Sequence, residues 1–153
     1  MEPAVRLDEQ GPVTSSGPPS RAGAAYEGGS DSIAAARHFA ADFLTRVHGL
    51  PSTSRAVESV RLVVSELVTN ACKYAFGPCA LELEVFGRTL EITVWDSAPV
   101  LPVAQGADPG RVGQHGMEIV LALCEDVDVR LEPVGKRVIA RIALPEAEAR
   151  PRV

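Results

Sequence analysis

Two pairs of short alternating segments in the second half of the chain constrain its fold more than any other feature. Apolar residues alternate with other residues over 80–86 and 90–95, and the short segment between them begins with Gly87, a turn residue. A second alternating pair occupies residues 127–132 and 137–144. Strands joined by such short connections must run antiparallel, because parallel strands need a long crossover. The pattern therefore predicts two β-hairpins.

Three other segments have apolar residues at helical spacing. The first predicted helix is capped by Asp31 or Ser32 and runs to about His48. The second has its cap within 52–54 and runs to about Ala75, and the third runs from Gly116 to about Cys124. Two hairpins and three amphipathic helices bury their apolar surfaces most simply when the helices cover one face of the sheet. The predicted fold class is α/β (α+β), a two-layer sandwich with a mixed, mostly antiparallel sheet.

The chain ends differ in composition from this central part. The first thirty of the 153 residues contain five Gly, four Pro and four Ser, and their large aliphatic residues are few. Such a segment cannot bury enough apolar surface to offset its ordering entropy. We therefore expect a disordered arm over residues 1–23, one domain over residues 24–144, and a flexible tail over residues 145–153.

Composition also limits the class of function and the compartment. The net charge of −5 argues against a direct nucleic-acid binder, which would show a basic face. No apolar run is long enough to span a bilayer, and the N-terminus lacks the pattern of a secretory signal. Three cysteines without a paired spacing favour a reducing, cytoplasmic location over a disulfide framework or a zinc site.

A polar stripe lies beside the apolar face of the second predicted helix. At about 100° per residue, Asn70 and Lys73 fall within about 40° of Glu66, so one carboxylate, one carboxamide and one ammonium share a side of the helix. Most such stripes are solvated helix faces. However, a Glu at a pocket rim can act as a general base, and an Asn carbonyl oxygen is a suitable Mg²⁺ ligand.

Two further features are consistent with a ligand site. Asp96 follows the strand pattern at 90–95, where it could either begin a turn or point an acceptor into a cleft. Gly110, Gly113 and Gly116 are spaced three residues apart ahead of the third helix. Exposed backbone N–H groups at a helix start can bind phosphate, although such glycines are often only the end of a loop.

Together these segments resemble the ATPase superfamily that includes gyrase, MutL and the catalytic domains of histidine kinases. The run Glu66-Leu67-Val68-Thr69-Asn70-Ala71 is similar to its asparagine-containing box, Asp96 matches the aspartate of its first glycine box, and Gly113-Gln114-His115-Gly116 is similar to its second. Within this superfamily the chain most resembles the small anti-sigma-factor serine/threonine kinases, which share the length, the "SELVTNA" helix and the terminal "GKRV" strand. The resemblance covers residues 24–144 and implies a Bergerat-type ATP-binding fold.

The resemblance also implies a role for individual residues. Glu66 would be the catalytic base, Asn70 would hold Mg²⁺ at the ATP phosphates, and Asp96 would accept a hydrogen bond from the adenine amino group. Lys73 would supply a charge near phosphate or partner, and Arg111 would compensate for Gln114, which replaces a frequent Arg. The implied ATP-binding residues are Asn70, Lys73, Asp96, Ala98, Arg111, Gly113, Gln114, His115, Gly116 and Met117.

The implied function is that of a regulatory protein kinase. Such a chain would phosphorylate an anti-anti-sigma (STAS-type) partner and sequester a sigma factor, and it could also form a homodimer. The first glycine box reads Asp96-Ser97-Ala98-Pro99-Val100 and lacks both of its usual glycines. This departure favours the alternative function, a non-catalytic adenine-nucleotide-binding adaptor that regulates transcription by partner binding alone. The intact Glu66 and Asn70 favour catalysis.

Overall fold

The computed structural model describes residues 20–74, 78–97 and 116–145, which form one antiparallel sheet and three α-helices. The elements in chain order are β1 (Arg21–Tyr26), α1 (Ser30–Asp42), α2 (Arg55–Tyr74), β2 (Cys79–Phe86), β3 (Thr89–Asp96), α3 (Gly116–Leu123), β4 (Asp126–Leu131) and β5 (Lys136–Ala143). The strand order is β1-β2-β3-β5-β4, and every neighbouring pair is antiparallel. Both predicted hairpins and the predicted fold class are therefore confirmed.

The two faces of the sheet have different chemistry. On the inner face, Leu83, Ile92 and Ala140 form one cross-strand row and are buried against the helices. On the outer face, Glu91 of β3 lies opposite Arg141 of β5, and the Arg141 Nε donates to the Glu91 carboxylate at 3.0 Å. The period-two alternation of strands separates these sets, so the helices cover one face only.

The helix α2 lies across the inner face and has the longest apolar stripe. It begins at Arg55 because Ser54 caps it, with the Ser54 Oγ accepting a hydrogen bond from the Val57 N–H at 3.2 Å. Its 20 residues span about 30 Å. The apolar side chains facing the core include Val57, Val60, Val63, Val64, Leu67, Val68 and Ala71, all buried. The predicted cap within 52–54 is confirmed.

The first helix starts earlier than predicted, while its helical segment ends at Val47, close to the predicted end at about His48. It begins at Ser30 after Gly29, which has a φ of +98°, so neither Asp31 nor Ser32 caps it. Instead the Ser32 Oγ accepts a hydrogen bond from the Gly28 N–H at 3.1 Å. The α-helical geometry ends at Asp42, and a single π-helical turn, Phe43–Val47, continues it.

The first strand begins earlier than the composition predicts. β1 starts at Arg21, so residues 21–23 belong to the sheet and not to the N-terminal arm. The Arg21 Nε donates to the Glu82 carboxylate of β2 at 2.7 Å and fastens this edge. Residues 1–19 and 146–153 lie outside the described residues. In the described part of the chain, no helix is both long and apolar enough to cross a membrane.

Candidate functional site

Three elements bring predicted site residues to the same side of the sheet. Glu66 and Asn70 lie one turn apart on α2, and both are half-buried. Asp96 is the last residue of β3, and its side chain belongs to the inner, helix-facing row of alternation together with Ile92 and Val94. Gly116 is the first residue of α3, and α3 packs against α2. The site is therefore located between the sheet and the helices.

The asparagine-containing helix and the second glycine box are in direct contact. A Cβ atom added to Gly116 would overlap the Oε1 atom of Glu66, so the carboxylate lies against the first residue of α3. The N-terminus of a helix carries a partial positive charge, which favours an anionic group there. A larger residue at position 116 would therefore displace the Glu66 carboxylate, which lies at the helix end where the sequence predicts an anion.

Asp96 is paired with Lys136, a residue that no predicted role connects with the site. The Nζ of Lys136 donates to both carboxylate oxygens of Asp96, at 2.8 Å and 3.1 Å. The exposed fraction is 2% for the Asp96 side chain and 0% for that of Lys136. The two residues are direct cross-strand partners at the end of β3 and the start of β5. This is a buried ion pair on the inner face.

The turn before Lys136 supports this pair. Gly135 has a φ of +80°, and a Cβ atom there would overlap the main-chain carbonyl oxygen of Asp96. Only glycine combines that backbone conformation with such a close approach. Gly135 therefore lets the β4–β5 turn pack directly on the end of β3.

The thiol of Cys79 lies at the end of the sheet where β3 ends at Asp96. Burial raises the pKa of Cys79, the first residue of β2, to about 11, and the negative charges of Cys72 and Asp96 add smaller effects in the same direction. A thiol with that pKa is protonated at neutral pH and is a poor nucleophile and metal ligand. Cys79 therefore contributes packing to the site and no ionic chemistry.

The described residues offer few protein ligands to a metal ion. They contain no group of three or more His, Cys, Asp or Glu side chains that could hold an ion. Mg²⁺ is commonly bound by one or two protein oxygens with water and substrate phosphates completing its shell. The carboxamide oxygen of Asn70 is suitable for this role, with Glu66 one turn away on the same helix.

The other predicted ATP-binding residues are only partly described. Met117 is half-buried in α3 and packs against the core, which gives it a structural contact in addition to any ligand contact. Lys73 lies in the last turn of α2, and its side chain lies outside the described part of the structure. The same holds for the predicted residues Ala98, Arg111, Gly113, Gln114 and His115.

The chain is similar to known proteins. A family model described as a histidine kinase-like ATPase domain matches residues 29–142. A search of curated proteins finds no match. Among solved structures, the histidine kinase domain of the Erythrobacter litoralis EL346 blue-light activated histidine kinase is 21% identical with a TM-score of 0.46, and the match covers 73% of this chain and 61% of that one.

Two other solved structures are similar at the same level. The Erythrobacter litoralis EL346 blue-light activated histidine kinase is 25% identical, with a TM-score of 0.45 and coverage of 63% of this chain and 32% of that one. The Acinetobacter baumannii histidine kinase AdeS is 13% identical, with a TM-score of 0.46 and coverage of 82% and 68%. This chain thus spans less than two thirds of the length of the first two. Because the family model matches most of the present chain, the chain belongs to the histidine kinase-like ATPase domain family.

Proposed function

We propose that this chain is an ATP-binding regulatory serine/threonine protein kinase of the anti-sigma-factor type. It would phosphorylate an anti-anti-sigma partner of the STAS type and sequester a sigma factor. The observation that carries the proposal is the contact between Glu66 and Gly116, since it joins the asparagine-containing helix to the start of the glycine-box helix. Family membership supports the ATP-binding part of the proposal.

Each residue of the site has a role that its position supports. Glu66 of α2 is half-buried, and its carboxylate lies against the start of α3. There it can orient a substrate hydroxyl and accept its proton. Asn70, one turn along α2, can contribute a neutral oxygen to Mg²⁺. Bound Mg-ATP would supply the phosphoryl group, and transfer depends mainly on positioning and charge neutralisation. The start of α3 offers backbone N–H groups to an anion.

A second candidate function is favoured by one specific observation. The Asp96 carboxylate is already paired with Lys136, and its side chain is only 2% exposed. If the carboxylate that would bind the adenine amino group already has a partner within the protein, nucleotide binding is expected to be weak. Under this alternative the chain is a non-catalytic adaptor that regulates by partner binding alone.

Binding and transfer experiments distinguish the two functions. Titration calorimetry with ATP and Mg²⁺ up to millimolar concentration tests binding, and incubation with γ-labelled ATP and candidate STAS-type partners tests transfer. We expect Glu66→Ala to abolish transfer, a loss on the order of 10²–10⁴-fold, and to leave ATP binding within a few-fold of wild type. The matched control is Glu58→Ala, because Glu58 lies on the same helix and is exposed.

The outcomes separate the proposals clearly. Transfer by the Glu58 variant but not by the Glu66 variant supports the kinase. An unchanged transfer rate after Glu66→Ala removes Glu66 as the base. ATP binding by wild type without transfer to any partner supports the adaptor. Absence of ATP binding rejects both functions as stated.

A further inference from the structure

The Asp96–Lys136 pair has a direct consequence for nucleotide binding. A carboxylate can read the amino group of a base only if one of its oxygen lone pairs points toward the ligand. Here both oxygens of Asp96 accept from the Lys136 Nζ, and neither side chain has a significant exposed surface. In this conformation Asp96 is therefore engaged by the protein itself.

The position of Lys136 in β5 explains why the pair forms. Lys136, Val138, Ala140 and Ile142 alternate on the inner face, so the lysine occupies a core-facing position of a strand. A buried ammonium requires an opposite charge, and Asp96 is its direct cross-strand partner. The close packing of Gly135 on the Asp96 main chain holds the two strand ends together.

We propose that Lys136 competes with the nucleotide base for the carboxylate of Asp96, so that a base carrying an exocyclic amino group is read only when this ion pair opens. This inference rests on the proposed nucleotide-binding function and adds its internal regulation. A carboxylate could accept from two donors at once in the open, but the Asp96 side chain is only 2% exposed, so the lysine and the base exclude each other and their coupling is reciprocal. Lys136 therefore lowers both the affinity for ATP and the selectivity for its base.

The test measures how strongly the protein distinguishes two bases. ATP has an amino group at C6 of its base, and inosine triphosphate has a carbonyl oxygen there. Calorimetric dissociation constants for both, with Mg²⁺, are measured for the full chain and for Lys136→Met, which keeps a long side chain without donors. The control is Arg130→Met, because Arg130 is an exposed cation on the β4 edge strand.

We expect wild type to prefer ATP over inosine triphosphate by less than about tenfold. Lys136→Met should increase this preference at least about tenfold through tighter ATP binding, and Arg130→Met should leave it unchanged. The ratio of the two affinities is the informative readout, because a general loosening of the fold would change both affinities together. Lys136→Thr provides a second variant if the methionine variant does not fold, since its short, uncharged side chain also removes the ammonium that pairs with Asp96.

The remaining outcomes separate the competition from the proposed nucleotide-binding function. A wild-type preference above about 100-fold, or a preference that Lys136→Met and Lys136→Thr leave unchanged, overturns the competition. Equal gains for both nucleotides overturn it as well. If neither wild type nor the variants bind either nucleotide at millimolar concentration, the proposed nucleotide-binding function itself is rejected. Measurable binding of ATP, but not of inosine triphosphate, by the Lys136 variants alone supports the competition.

Discussion

At the scale of single residues, Gly135 and Lys136 control how β3 ends. Lys136 neutralises Asp96, and Gly135 lets the preceding turn contact the Asp96 main chain. The other acidic residue of the site, Glu66, lies against the start of α3. Both carboxylates of the candidate site therefore have contacts within the protein that a ligand has to share or replace.

The Gly135 position gives a prediction about stability. Gly135→Ala should lower the free energy of unfolding by about 2–4 kcal/mol, because the alanine would need a φ of +80° and would overlap the backbone of Asp96. The control is Gly87→Ala in the β2–β3 turn, where φ is +63° but no atom lies within 4 Å of the added carbon. That variant should lose only about 1–2 kcal/mol. Equal losses in urea unfolding would contradict the role of close packing at Gly135.

At the scale of elements, the helices and strands that agree best with the prediction are those whose apolar residues repeat at a regular spacing. The helix α2 and both hairpins were predictable to within a few residues because their apolar positions repeat at 3.6 or at 2. The strand β1 is not among the predicted strands, since the small residues of its sequence RAGAAY give almost no alternation signal. The π-helical turn after α1 could not be predicted, because its sequence has no feature that distinguishes it from an α-helix.

The candidate site was only partly predictable for a related reason. Glu66, Asn70, Asp96 and Gly116 belong to motifs that suggest a ligand site, whereas Lys136 lies one residue before the alternating segment 137–144 and is assigned no role in the site. Extending the alternation of β5 backward by one step, from Val138 to residue 136, would have placed the lysine on the inner face. Its pairing with Asp96 depends on the β3–β5 register, which joins strands that are distant in sequence.

The cap of α2 gives a prediction at the element scale. Ser54→Ala should lower the free energy of unfolding by about 1 kcal/mol, because the Val57 N–H loses its side-chain acceptor. Ser52→Ala is the matched control, since Ser52 is exposed and precedes the helix. It should change stability by less than about 0.5 kcal/mol. Chemical denaturation of both variants tests the difference, and a larger loss from the Ser52 variant would be inconsistent with Ser54 as the cap.

At the scale of the whole molecule, weak acids that are buried or partly buried in different parts of the fold link stability to pH. Burial is the main cause that raises the pKa of Cys79 and of Cys124 from 9.0 to about 11, and it also raises the pKa of Tyr26. In the unfolded chain these groups ionise at lower pH than in the folded protein. Between pH 9 and pH 11 the unfolded state therefore binds fewer protons than the folded state.

We expect the protein to lose stability as the pH rises through this range, and these groups to have no such effect below about pH 8. Urea unfolding at pH 7.5, 9 and 10.5 measures the change. A variant with both Cys79→Ala and Cys124→Ala should show a shallower decline, although its stability at pH 7.5 is lower from lost packing. The same decline in the double variant would assign the effect to other groups.

The strand register has a practical consequence for how the protein can be attached to other molecules. β1 begins beside Glu84 and β5 ends beside Thr89, so the described chain both enters and leaves at the end of the sheet opposite to Asp96. Along β3 the distance from Thr89 to Asp96 is roughly 23 Å. A reporter protein or a sensor surface joined at residue 20 or at residue 145 would be held away from the Asp96 end of the sheet, and either form of attachment should report the same affinity for a nucleotide bound at the candidate site.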